Sequence, residues 1–539
     1  MPTIAPLLTR LMLAPLRSLL ATTLLGLLLA FSFQGSRGLW ETDEGRYTQV
    51  GLQMLRMDDW LTPHRHHHRI HPTKPPMTYW AIAGSVRAFG YSEWAVRLPN
   101  ALAFLGTLLL VFLIGRRWLP LLPGLPVLIY GTMAVPFFAN NWVSTDTLLC
   151  FFETLAMVGF VAWRWPGGSN LDHRRRGRSA WLLLMWVAFG LACLTKGPPG
   201  LLPLAALLAF SLHDGGWPAF RRLLPWGGLL AFAVVGLSWY LLVTIKNPGL
   251  FAYLVKDEVI NRVASDDFGH FPQWWGGLYV YGSVLLLGTL PWIVPGILAR
   301  PHRDGPSFAS EPIDPAQTRL LRWWLLLPLA VFLLSRSRLP LYILPLLVPV
   351  ALMLARRLYP RRRLLHLCLL LLPLWIAALI GVKGLIAEMP HVRSIGEWLR
   401  VMRGEQVWVP QNKDMRAFAR ALPKLVPFQP IELVFVEESP RYGLGFYLDV
   451  ETEWIGLDES DPRFDDHLQH ELQEIEPGQV AGGRRLYLLK AARRQAFEDK
   501  LAGFGYRAIH YGHLHRLELF GVEPLASAPL KVPAPTPDQ

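Results

Sequence analysis

Runs of about twenty apolar residues recur through roughly the first 385 positions of this 539-residue chain, and they constrain its fold more than any other feature. Hydrocarbon offers the backbone no hydrogen-bond partners, so such runs must close their own bonds as helices. Spans are expected near 13–33, 98–116, 121–139, 143–163, 180–195, 198–213, 224–245, 275–298, 319–335, 339–358 and 363–384. That makes about eleven, with room for two more. A chain that is 52% hydrophobic and 17% charged is too apolar for an ordinary water-soluble globule. The fold class is therefore a polytopic α-helical membrane protein.

The basic excess, 53 Lys and Arg against 40 Asp and Glu, is not the footprint of a nucleic-acid partner. Its arginines gather in short connections between apolar runs: Arg116 and Arg117, Arg174 to Arg178, Arg221 and Arg222, Arg300 and Arg303, Arg356 to Arg363. With the N-terminus in the cytoplasm, every cluster falls in a cytoplasmic connection, as the positive-inside rule requires. The first apolar run follows Arg10 and lacks a convincing small-residue cleavage site, so it reads as a span and not a signal peptide. Cys150, Cys193 and Cys368 lie in or beside apolar runs with no paired spacing, and no disulfide is expected.

The opposite, outward connections hold nearly all the polar motifs: Asp43 to Lys74, Asn140 to Asp146, Thr195-Lys196-Gly197, Lys256 to Gln273, and Arg336 to Pro340. One active site on the outer face is the simplest reading. From about residue 386 the long apolar runs cease. A small soluble α/β domain is expected over 386–525, with strands at Glu432 to Val436, Arg485 to Leu489 and Leu517 to Phe520 and helices at Met415 to Leu422 and Ala491 to Leu501. An odd number of spans places it outside the cytoplasm, followed by a disordered Pro- and Ala-rich tail, 526–539. The remaining chain, 1–385, is the membrane domain, with its first outer loop over 34–97.

Individual residues carry alternative readings. Asp43 and Glu44 sit just past the first span, where an ionisable group is costly and so a functional candidate, or else caps the helix expected over Gly45 to Met57. Asp146, after Ser144 and Thr145, has the same two readings. Lys74, stiffened by Pro75 and Pro76, suits a phosphate. Lys196 ends a span, where a cation also complements the helix dipole. Arg46, Arg262, Arg336 and Arg338 suit lipid headgroups or a bound anion. Five histidines between His64 and His71 invite a metal but lack the helical pairing of a strong zinc motif; solvated loop histidines are the plainer reading. No glycine-rich phosphate loop is present, which argues against an ATP-driven pump.

Taken in order, Leu39-Trp40, Asp43-Glu44-x-Arg46-Tyr47, Asp59-Trp60, Lys74-Pro75-Pro76, Asp146, Thr195-Lys196-Gly197, Pro291-Trp292 and Arg338-Leu339-Pro340-x-Tyr342 resemble the polyprenyl-phosphate-sugar glycosyltransferases of the GT-C fold. The resemblance is closest to the bacterial lipid A aminoarabinose transferases, with protein O-mannosyltransferases as more distant relatives. It implies an inner-membrane enzyme with a periplasmic site, an undecaprenyl-phosphate sugar donor, and lipid A or another envelope glycolipid as acceptor. It further implies that Asp43 is the essential carboxylate, that Asp146 is a second, and that Lys74, Arg46 and Tyr342 lie on the donor phosphate. Glu44 joins the candidate catalytic carboxylates, and Lys196, Arg338 and Arg262 the candidate phosphate ligands.

Three positions depart from the family pattern. Thr73 replaces an acidic residue before Lys74, Arg336-Ser337-Arg338 replaces a Lys-x-Lys, and Gly45 stands where Thr is frequent. No cofactor is required by the chemistry, and a role for a divalent metal stays open. Transfer of another lipid-linked sugar to protein or glycan is an alternative. A lipid or sugar transporter is another, though transporters place polar groups near mid-bilayer on broken helices, and here the charges gather at one face.

Overall fold

The computed structural model describes residues 15–67, 69–166, 171–255, 271, 273–299, 314–388, 414–459, 464, 466–473 and 485–525, without the side chains of 171–178, 255 and 388. The expected phosphate ligand Arg262, most of the 256–273 connection and the 526–539 tail lie outside the described residues. The chain forms two compact units, one of Met1–Ser36, Asp59–Pro63 and His71–Glu388, the other of Arg37–Asp58, His64–Ile70 and Met389–Gln539. The linear reading gave all of loop 34–97 to the membrane domain. Two pieces of that loop cluster with the C-terminal chain, because Leu39, Glu41 and the Asp43–Met57 helix find their bonding and packing partners there.

Every one of the eleven expected runs contains helix in the first unit. Seven helices among the described residues are long and apolar enough to cross a membrane. Thr145–Arg164 is 83% buried within the protein, whereas Trp226–Lys246, Pro315–Leu334 and Arg362–Ala387 are each 22% buried, so the first is central and the other three are peripheral. Run 121–139 is broken into Leu125–Thr132 and Ala134–Ala139 by an extended Met133. Run 275–298 is broken into Gly276–Leu286 and Ile293–Leu298, with Pro291 in the gap. A further helix, Met77–Phe89, follows Lys74-Pro75-Pro76 and buries Tyr79, Ile82, Ala83 and Val86.

Several polar side chains inside this unit are satisfied locally. Thr107, Thr154 and Thr195 donate to the carbonyls four residues earlier at 2.8, 2.6 and 2.8 Å, removing their hydroxyls from hydrocarbon. Trp292 Nε1 donates to Thr132 Oγ1 at 2.8 Å, and Trp375 Nε1 to Thr132 O at 2.8 Å, closing the breaks in both interrupted runs against the last span. Beside them lies an apolar cavity of about 540 Å³, lined by residues including Pro291, Trp292, Leu298, Leu367, Leu371 and Trp375.

In the second unit a six-stranded sheet has the order β5-β4-β3-β6-β8-β7. The strands are β3 (Glu432–Val436), β4 (Glu451–Gly456), β5 (Asp466–His467), β6 (Arg485–Lys490), β7 (Tyr506–Leu514) and β8 (Leu517–Pro524), while β1 (His64–His66) and β2 (Arg69–Ile70) form a separate hairpin. β5, β4, β3 and β6 run parallel; β8 and β7 close one side antiparallel. β3 is buried throughout. Its Leu433 and Phe435 join Phe418, Leu444 and Leu488 on one face, while Val434 and Val436 join Leu468, Tyr487, Phe497 and Leu501 on the other. That two-sided burial is why β3 is a continuous apolar run after Glu432.

Candidate active site

In the membrane unit, three residues far apart in sequence meet. Ser144 caps the Thr145–Arg164 helix by accepting from the Asp146 N–H at 3.3 Å, and Asn100 Nδ2 donates to Trp142 O and Ser144 O at 2.6 and 3.3 Å. The turn so fixed presents Asp146 to Lys196, the last residue of the Leu171–Lys196 helix. The two form an ion pair with each side chain only 8% exposed. Lys196 Nζ also lies 4.0 Å from the ring centroid of Tyr342, which sits in the 3₁₀ turn Pro340–Leu346. A cation between a carboxylate and an aromatic face is fixed in place before any ligand arrives. Gly197 then takes φ +69°, letting the chain leave the helix beside the Tyr240 hydroxyl.

Lys74 is half-buried in the same unit and donates to Thr73 O at 2.9 Å. Thr73 bonds His71 Nε2 at 2.9 Å through its hydroxyl. The returning loop is tied down by Trp239 Nε1 to Leu61 O at 2.8 Å and by a Lys246–Asp59 ion pair at 2.8 Å. Lys246 and the Leu61 and Thr62 N–H groups hold Asp59 below the usual carboxylate range, overcoming the burial that acts against them. Arg338 is tied to backbone carbonyls. Its Nη1 donates to Phe271 O and Gln273 O at 2.6 and 2.7 Å and its Nη2 to Leu333 O at 3.2 Å, so it staples backbone to backbone.

In the second unit, Asp43 and Arg46 pair at 2.6 Å one turn apart, 39% and 34% exposed. Glu44 is placed quite differently from Asp43. It is fully buried, bidentate with Arg37 at 2.5 and 3.0 Å, and accepts the Trp40 N–H at 2.9 Å. Such a carboxylate has its lone pairs committed and holds the helix entry together. Arg37 also stacks over Trp40 at 4.1 Å. Glu41, which the sequence did not single out, accepts the Gly443 N–H at 2.6 Å. Burial pushes its carboxyl up to about 8, against the hydrogen bond from Gly443 and the charges of Arg441 and Arg46. Gly45 has a steric reason for lacking a side chain: a Cβ there would fall 2.1 Å from Glu41 Oε1 and 2.6 Å from Gly443 N.

The structure thus unites Asp146, Lys196 and Tyr342, and separately Asp43 and Arg46. The part of Arg37, seven residues ahead of Glu44 and outside the Asp43–Met57 helix, left no signal in the sequence.

By fold, the chain is a GT-C-like polytopic membrane protein with a C-terminal α/β sheet domain. Residues 73–240 match the family model described as dolichyl-phosphate-mannose-protein mannosyltransferase. The chain is 34% identical over 338 residues to an undecaprenyl phosphate-alpha-4-amino-4-deoxy-L-arabinose arabinosyl transferase of Pseudomonas aeruginosa (strain UCBPP-PA14), covering 61% of this chain and 57% of that protein. A protein of the same name from Edwardsiella ictaluri (strain 93-146) is 30% identical over 324 residues, covering 59% and 55%. The chain spans little more than half the length of these relatives. ArnT from Cupriavidus metallidurans, solved bound to undecaprenyl phosphate, superposes with a TM-score of 0.67 at 19% identity, covering 93% of this chain and 97% of that one. The similarity expected from the ordered motifs is therefore present in both sequence and fold.

Proposed function

We propose that the protein is an inner-membrane glycosyltransferase that moves a sugar, 4-amino-4-deoxy-L-arabinose by similarity, from undecaprenyl phosphate to lipid A or a related envelope glycolipid. The observation that carries this reading is the buried Asp146–Lys196 pair stacked on Tyr342, at the positions where the motif order of such enzymes calls for a carboxylate, a cation and an aromatic. The C-terminal domain and the site face the periplasm, and the N-terminus lies in the cytoplasm.

Transfer breaks the bond between the anomeric carbon and a phosphate oxygen, and the electron pair stays on the leaving phosphate. Lys196 and Lys74 neutralise the charge that grows there, which fixed cations in a partly dehydrated site do better than water. Tyr342 lies against the Lys196 ammonium that Asp146 holds. The acceptor oxygen attacks from the opposite face, inverting the anomeric centre. If that oxygen belongs to a hydroxyl, Asp43 takes its proton; if it belongs to a phosphate, Asp43 orients the donor or faces positive charge on the sugar. The apolar cavity beside Trp292 and Trp375 supports a polyprenyl tail as part of the substrate. No further cofactor enters these steps.

Purified protein incubated with the undecaprenyl-phosphate aminoarabinose donor and lipid A should give lipid A heavier by one aminopentose in mass spectra, and Asp43→Asn should not. An unmodified lipid A with the donor consumed on another envelope acceptor would discard the acceptor and keep the transferase.

A further inference from the structure

The histidine run of the first loop is drawn into the second unit and not left to solvent. In a straight strand, consecutive side chains face opposite ways. Here the chain turns at His67, so His66 and His67 lie with ring centroids 4.2 Å apart and both address Glu451 of β4. His66 Nε2 is 2.7 Å from Glu451 Oε2 and 3.0 Å from Glu432 Oε1, and His67 Nδ1 bonds the same Glu451 oxygen. One ligand atom from each of His66, His67 and Glu451 lies within 4.8 Å of the others.

We propose that His66, His67 and Glu451 bind one divalent transition metal of the zinc class, which clips the β1–β2 hairpin to the C-terminal sheet. Two imidazole nitrogens and one carboxylate oxygen form a borderline donor set that suits zinc and its neighbours better than magnesium or calcium, which prefer oxygen. The outer partners of such a site are also present. Gln53 Nε2 donates to Glu451 Oε1 at 3.1 Å, leaving Oε2 to face the imidazoles, and Arg485 Nε holds Glu432 Oε2 at 2.9 Å. Metal bonds of about 2.0–2.1 Å in a tetrahedron set donor atoms about 3.3 Å apart. The 2.7 Å His66–Glu451 separation is that of a shared proton, so exchanging proton for metal opens it by about 0.6 Å. His67, at 47% exposure, has room to follow. The ligands come from positions separated by 384 residues, so the metal would join segments that the chain itself connects only distantly.

The test uses the full-length protein in detergent, stripped with a chelator, supplied with Zn²⁺ and dialysed. Plasma mass spectrometry should find one zinc per chain in the wild type and a loss in both His67→Ala and Glu451→Gln. Gln53→Leu should keep the metal but weaken it about tenfold in a competition titration. His470→Ala, elsewhere on the same unit, should match the wild type. Zinc should raise the melting temperature of the wild type and not that of His67→Ala, whose metal-free melting temperature should equal that of the stripped wild type. No stoichiometric zinc in the wild type, or a full equivalent retained with unchanged affinity in His67→Ala, overturns the proposal and leaves a His66 imidazolium clamped by Glu432 and Glu451.

Discussion

Asp43 keeps its carboxylate half-exposed beside Arg46, whereas Glu44, one residue on, is sealed against Arg37. The two should therefore fail differently when neutralised. Asp43→Asn breaks a surface pair and should change stability by no more than about 1 kcal/mol, while lowering transfer by about a hundredfold or more. Glu44→Gln leaves Arg37 buried without its partner and should cost about 3–5 kcal/mol, visible as a lower melting temperature in detergent. Equal losses of stability in the two would sink the distinction. Glu41 gives a pH signature. Its folded value near 8 lies above its ordinary 4.5, raised by burial, with Arg441, Arg46 and Asp43 as the charged neighbours. The folded state thus holds a proton that the unfolded state has lost. Its contribution is complete below about pH 4.5 and is lost as pH rises towards 8, by at most about 1.4 kcal/mol per pH unit. Glu41→Gln should flatten that part of the stability profile, and an unchanged slope would contradict the assignment.

Helices were the most legible elements, because twenty apolar residues in hydrocarbon have few alternatives. Each expected run holds a helix, yet Pro291 and the extended Met133 break two of them, and nothing apolar in the pattern marks such breaks. In the sheet, β3, β6 and β8 could be read from their apolar runs. β4 carries Glu451 and Glu453, and β7 is an edge strand exposed at Arg507, His510 and His513, so both lacked the signal. Of the candidate site, Asp43, Arg46, Asp146, Lys196 and Tyr342 could be named from motif order, but not which of them would meet. The charge of Arg338 is visible in sequence, whereas the Phe271, Gln273 and Leu333 carbonyls it holds are not. At this scale the Asp146–Lys196 pair joins two neighbouring membrane helices. Lys196→Gln alone should strand a buried carboxylate and destabilise by about 3–5 kcal/mol, and adding Asp146→Asn should recover part of it. Strictly additive losses in melting experiments would mean the pair is not coupled.

For the whole molecule, the proposed lipid-tailed substrate would account for so large a membrane body. Buried helices position a few fixed charges, and an apolar cavity of about 540 Å³ lies among the outer ones. The central claim is that this body consumes a polyprenyl-phosphate sugar, whichever acceptor receives it. The direct measurement is release of free undecaprenyl phosphate from its sugar-linked form, followed by mass spectrometry with purified protein and a mixed envelope extract. The account predicts release that depends on the extract and falls at least about a hundredfold in Asp43→Asn. Intact donor under every condition, or equal release by the variant, would contradict it.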